Sequence, residues 1–135
     1  MINMDAVIGQ YIATLLWSES CNGTAGGDHE HNTSSPEDCD ASLDYIGYDA
    51  DDLAEGARKE IETDVRDFCE ANAADLEGLS DDDIGHNFLL SRNGHGAGFW
   101  DRGWGERGDR LHDAAKVYGT MSAYVGDDGK VYTQG

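Results

Sequence analysis

Apolar residues recur at three- and four-residue steps along one segment of the chain, between Leu53 and Cys69. This spacing follows one face of a helix, so it predicts an amphipathic α-helix from about Asp51 to Asn72. The apolar stripe consists of Leu53, Ala57, Ile61, Val65, Phe68 and Cys69. One face of this helix therefore belongs to a core, and its other faces are acidic.

The same periodicity, with capping residues at the ends, predicts three further helices, over about residues 4–18, 80–92 and 107–119. Ser80 is the expected N-cap of the second of these, and Gly119 the expected C-cap of the third. The run Gly126-Asp127-Asp128-Gly129 separates two short apolar runs and predicts a C-terminal β-hairpin. The expected fold class is α+β, mainly helical, with about four helices.

The chain has 135 residues, which suits a single domain over 1–135. Residues from about 20 to 44 are rich in Gly, Ser and Asn and predict a long mobile loop. The three cysteines and the absence of a signal-like start indicate a reducing cytoplasm. No apolar run approaches the roughly 18 residues that span a bilayer, so we expect no membrane association.

Negative charge is concentrated in the middle of the sequence. Residues 28–83 hold 20 of the 28 acids and only three bases, whereas residues 84–135 carry six of each. The formal net charge is −19. Because such a bias costs the folded state self-repulsion, it favours a strongly basic partner. Adaptation to high salt is an alternative, but it would coat every surface, and the last 52 residues are balanced.

Carboxylates follow the central helix at about one per 4 Å, near the roughly 3.4 Å per charge of a DNA strand. Three of them, Glu60, Asp64 and Asp67, stand at i, i+4 and i+7 and form a row of like charges. A positive partner would relieve their mutual repulsion. We predict partner contacts at Asp51, Asp52, Glu55, Glu60, Glu62, Asp64, Asp67, Glu70, Asp81, Asp82 and Asp83. For Asp81 to Asp83, helix capping is the simpler explanation.

Two motifs suggest other chemistry. The run Asn93-Gly-His-Gly-Ala-Gly98 could place His95 as a base with Asp101 or Arg102 as its partner. It has neither a phosphate-binding nor a dinucleotide spacing, and a turn that tucks Phe99, Trp100 and Trp104 into the core explains it without catalysis. A tetrahedral zinc site is the second possibility, formed by Cys21, His29, His31 and Cys39. The acids at 49–52 lack the glycine of a calcium loop.

The segment from Phe88 to Val131 resembles a family of small proteins common in bacteriophage genomes. The residues that carry the resemblance are Ser91-Arg-Asn-Gly-His-Gly-Ala-Gly-Phe-Trp-Asp-Arg-Gly103, Gly105-Glu-Arg-Gly-Asp-Arg-Leu111, Ala114-Ala-Lys-Val-Tyr-Gly119 and Tyr124-Val-Gly-Asp-Asp-Gly-Lys-Val-Tyr132. The helix containing Tyr11-Ile-Ala-Thr-Leu-Leu-Trp17 is also similar. The resemblance implies a phage setting and supplies no active site.

Charge and setting together predict an acidic DNA mimic in the host bacterial cytoplasm. It would inhibit a restriction or CRISPR-type defence by occupying the basic surface of a host protein that binds nucleic acid. We expect no catalytic residue, no cofactor, no bound metal and no direct binding of nucleic acid by this chain. The alternatives are a small metal-binding or enzymatic phage protein that uses the His95 motif, and a structural component of the virion.

Overall fold

A computed structural model describes residues 2–19, 43, 47–94, 98–126 and 128–134. These residues form five α-helices and one antiparallel pair of strands, which confirms the mainly helical α+β fold with a C-terminal hairpin. The elements are α1 (Met4–Ser18), α2 (Glu55–Ala71), α3 (Ala73–Leu76), α4 (Asp81–Asn93), α5 (Glu106–Lys116), β1 (Ser122–Val125) and β2 (Val131–Gln134). None of these helices has the length and apolar character needed to cross a membrane.

The central helix begins later than the sequence predicts, at Glu55 rather than near Asp51. The acids before it close a separate 3-10 turn. Asp49 accepts a hydrogen bond from the Asp51 backbone N–H at 2.9 Å, and Asp52 accepts one from the Asp49 N–H at 2.8 Å. Leu53 is then extended and bridges to Val131 of β2. Tertiary pairing with the hairpin therefore overrides the helical periodicity at Leu53.

Helices α1 and α4 pack closely against each other. A Cβ atom at Gly85 would overlap the carbonyl oxygen of Val7, so only glycine permits this approach. At the start of the two helices, Asp81 accepts a hydrogen bond from the backbone N–H of Asn3 at 3.1 Å. The first turns of α1 and α4 are consequently neighbours.

Aromatic rings join the remaining helices in the core. Phe68 of α2 stacks on Phe88 of α4 with ring centroids 4.2 Å apart, and Phe99 stacks on Phe68 at 5.7 Å. Tyr118 meets Phe88 edge-on at 5.2 Å. These stacked and edge-to-face arrangements contribute about 0.5–1.5 kcal/mol per pair beyond the burial of their area.

The hairpin pairs Ser122 with Gln134 and Val125 with Val131. Val131 also accepts a hydrogen bond from the Ala54 backbone N–H at 2.8 Å, so the hairpin lies against the start of α2. Residue 43 falls in the predicted loop over 20–44, but Leu43 is fully buried and its N–H donates to the Glu19 carbonyl at 2.9 Å. The rest of that predicted loop lies outside the described residues.

The buried side chain of Arg92, on α4, connects four parts of the chain. Its guanidinium donates to the Asp64 carboxylate at 2.9 Å, to the Tyr11 hydroxyl at 3.1 Å and to two backbone carbonyls, those of Tyr118 and Gly119. Burial raises the pKa of Tyr11 to about 12, so this hydroxyl stays protonated and neutral. A buried guanidinium is tolerated only because these acceptors replace its water shell.

Replacing Arg92 by Met should lower the free energy of unfolding by about 3–5 kcal/mol, because the Asp64 carboxylate would lose its buried counter-charge. Urea unfolding followed by far-UV circular dichroism measures the change. The matched control is Arg110→Met, which breaks the exposed ion pair with Asp75 and should leave stability near that of the wild type. Equal losses in the two variants would contradict the central role of Arg92.

Candidate interface for a basic partner

The acids predicted to line the central helix do not form one surface. The row at i, i+4 and i+7 faces the C-terminal third of the chain, and each of its carboxylates accepts a hydrogen bond from there. The donors are the Thr133 hydroxyl to Glu60, Arg92 to Asp64 and the Tyr118 hydroxyl to Asp67. Burial and the bond to Asp67 raise the pKa of Tyr118. The chain itself thus supplies a positive group to this row, through Arg92.

Another face of α2 carries mixed charge. Glu55 pairs with Lys59 at 3.2 Å and Glu62 pairs with Arg58 at 3.5 Å, each one helical turn apart and exposed. Arg66 is exposed as well. Such ion pairs are weak in water, so Glu55 and Glu62 can exchange partners. Because the bases balance the acids, this face presents little net negative charge.

A third group of acids gathers where α2 ends and α4 begins. Asp81, Asp82 and Asp83 occupy the first turn of α4, and Glu70 lies in the last turn of α2. Two of them, Asp81 and Glu70, lie near the buried Cys69 thiol. Its burial raises its pKa to about 11, with further upward contributions from the negative charges of Asp81 and Glu70. We call these four acids, Glu70 and Asp81 to Asp83, the acidic end.

Local structure explains only part of the acidic end. Ser80 caps α4 by accepting a hydrogen bond from the Asp83 backbone N–H at 3.1 Å, and Asp81 accepts one from Asn3. The positive end of the helix dipole also favours acids in this turn. In the described part of the chain, however, the carboxylates of Glu70, Asp82 and Asp83 have neither an ion pair nor a hydrogen bond.

Few bases approach the acidic end. The sequence contains no Lys or Arg between Asp67 and Ser91. Two arginines reach the neighbouring segment from α5, and both are engaged. Arg107 donates to the Glu77 carbonyl at 2.9 Å, and Arg110 binds Asp75 at 2.7 Å and lowers its pKa. A third arginine, Arg102, donates to the Asn87 side chain, one helical turn after Asp83. Among the described residues, none of these arginines forms an ion pair with the acidic end.

Asp51 and Asp52 lie far from this patch. They precede α2, whose 17 residues span roughly 25 Å at 1.5 Å per residue, whereas Glu70 lies near its end. Asp51 is exposed, and Asp52 caps the 3-10 turn. Of the predicted contact residues, Asp81 to Asp83 share the first turn of α4, and Glu70 lies with Asp81 near Cys69.

The glycine-rich motif has a structural role in its described part. Gly98 donates its N–H to Asp101 at 3.0 Å, and the next N–H, of Phe99, donates to Ser91 Oγ at 3.0 Å. Phe99 is fully buried, as predicted for a turn that tucks it into the core. The corresponding prediction for Trp100 is wrong, because this side chain is 47% exposed.

Other predicted candidates lie partly or wholly outside the described residues. His95, the base in the enzyme alternative, lies outside the described residues. The four zinc-site candidates, Cys21, His29, His31 and Cys39, also lie outside them. Arg102 donates to the Asn87 side chain at 3.0 Å, a contact between neighbouring core-flanking segments. Among the described residues, no group of three or more His, Cys, Asp or Glu side chains could hold a metal ion.

Comparison of the chain with protein-family models, with curated proteins and with solved structures gives no match.

Gly98→Ala should destabilise the fold by about 2–4 kcal/mol. Its φ of +141° disfavours any Cβ, and that atom would overlap Ser91 Oγ. Gly103→Ala is the control, because Gly103 also has a positive φ but has open space around it. Thermal unfolding of both variants measures the loss of stability in each. If Gly98→Ala costs no more than Gly103→Ala, close packing does not explain the motif.

Proposed function

We propose that the protein is an acidic decoy that inhibits a host defence protein, of restriction or CRISPR type, by occupying its nucleic-acid-binding surface. The observation that carries this proposal is the acidic end, whose carboxylates on Glu70, Asp82 and Asp83 form neither an ion pair nor a hydrogen bond among the described residues. The resemblance to phage proteins supports a setting in the host bacterial cytoplasm. No catalytic step is part of the proposal.

The physical basis is competition for arginine and lysine. A surface that binds nucleic acid holds an array of cationic side chains for phosphates, and carboxylates form charge-assisted hydrogen bonds with the same groups. The consecutive Asp82 and Asp83 in the first turn of α4 offer two adjacent anions on a rigid element. The net charge of −19 adds a long-range field that accelerates association with a basic partner.

The structure changes which acids we assign to the contact. Asp64 is committed to Arg92, and Asp67 and Glu60 bind hydroxyl groups of the same chain. The acidic end is therefore the centre of the proposed interface. Exposed acids elsewhere, such as Asp51 and Glu55, contribute to the field.

The decisive variant is the double reversal Asp82→Lys with Asp83→Lys. It should abolish competition between the protein and labelled duplex DNA for purified restriction and CRISPR nucleases, because it replaces two adjacent anions by cations. Fluorescence anisotropy of the DNA measures the competition. For the wild type, the competition should weaken steeply as the salt concentration rises.

Glu106→Lys with Asp109→Lys is the matched control. These acids also lie in the first turn of a helix and are exposed, so the variant changes net charge and helix-dipole interactions equally. It should retain most of the competition. If both double variants compete as well as the wild type, or if the wild type displaces no nuclease from DNA at low salt, the decoy proposal is wrong.

A further inference from the structure

A groove opens beside the acidic end, between the start of the chain and the segment that joins α2 to α4. Its volume is about 490 Å³. The lining residues are Ile2, Ala73, Leu76, Glu77, Gly78, Leu79 and Ser80. This volume lies within the roughly 300–1,000 Å³ of pockets that bind small molecules, so the groove has room for a large side chain.

The floor and walls of the groove are mostly apolar. Ile2 and Leu79 pack against the hydrophobic core on one side and remain partly exposed on the other, and Ala73 is exposed. The hydrogen bond from Asn3 to Asp81 fixes the wall that contains Ile2. Burial of an apolar group in this groove would thus be favourable without a rearrangement of the core.

Acidic side chains outnumber the basic one at the rim of the groove. Glu77 lines the groove and is exposed, and Asp81 accepts a hydrogen bond from Asn3, next to the lining residue Ile2. Arg107 donates to the Glu77 carbonyl, and Asp82 and Asp83 follow Asp81 in the same helical turn. Nucleic acid and anionic membranes would be repelled by this rim, and so would a second copy of a chain with net charge −19. Charge complementarity therefore selects a cationic protein segment as the occupant.

We propose that the groove binds a cationic amphipathic segment of the partner protein. One apolar side chain of that segment enters between Ile2 and Leu79, and neighbouring lysines or arginines pair with the acidic end. This inference rests on the proposed function, because the acidic end is the same surface. It adds an apolar anchor, whose contribution to the binding free energy is not screened by salt.

The test uses the full chain and two short synthetic helix-forming peptides with equal numbers of lysines. One peptide carries leucine on its apolar face, and the other carries glutamine at the same positions. The wild type should bind the leucine peptide about tenfold more tightly, the value of one buried apolar side chain. Anisotropy of the labelled peptides gives the dissociation constants.

Ala73→Phe fills the groove and should remove the preference for the leucine peptide. Ala74→Phe is the control, because Ala74 is also exposed on α3 but does not line the groove. Ala73→Arg is a second variant that introduces a cation there. It should lower the affinity for both peptides, and the affinity for the leucine peptide should fall more. Thermal unfolding of each variant shows whether it remains folded.

Equal affinity of the wild type for the two peptides would overturn the inference, and so would equal effects of Ala73→Phe and Ala74→Phe. These results are separable from a failure of the decoy proposal. If Ala73→Phe still displaces DNA from a nuclease but Asp82→Lys with Asp83→Lys does not, the decoy stands without the groove. If no variant affects displacement, the peptide preference still reports whether the groove binds an apolar side chain.

Discussion

The fold depends on one buried cation. Arg92 lies below the surface of a protein with net charge −19, and its guanidinium joins Asp64 of α2, Tyr11 of α1 and the carbonyls of Tyr118 and Gly119 after α5. Removing a guanidinium from water is costly, so it stabilises this arrangement only when all of these acceptors are in place. These bonds therefore fix the positions of the helices relative to one another. Apolar burial stabilises the same arrangement.

The contacts of Arg92 also help to determine which acidic side chains are engaged within the chain and which are free. The face of α2 that meets Arg92 uses its acids internally, and the Tyr118 hydroxyl binds Asp67 there. No comparable base reaches Asp82, Asp83 or Glu70 within the described residues. Asp82, Asp83 and Glu70 consequently remain free, with an apolar groove beside the start of α4, and exposed acids such as Glu106 and Asp109 remain free elsewhere in the described part of the chain. This juxtaposition gives a basic partner both charge and shape to recognise.

Local patterns in the sequence determined the secondary structure well. The apolar stripe from Ala57 to Cys69 is buried on α2, Ser80 caps α4, and the Gly126 to Gly129 turn joins two strands, because spacing, caps and turns are short-range properties. The predicted start of α2 and the predicted burial of Trp100 are wrong. The short helix α3 was missed, since four residues give too little periodicity to detect.

The sequence by itself therefore determined the helices, the hairpin and the excess of acids, all of which follow from composition and local order. Only the tertiary structure decided which acids are free. Glu60 and Glu70 look alike in the sequence, yet one accepts a hydrogen bond from Thr133 and the other has no partner among the described residues. The partner of a charge is set by contacts between residues far apart in the chain, and periodicity carries no information about those contacts.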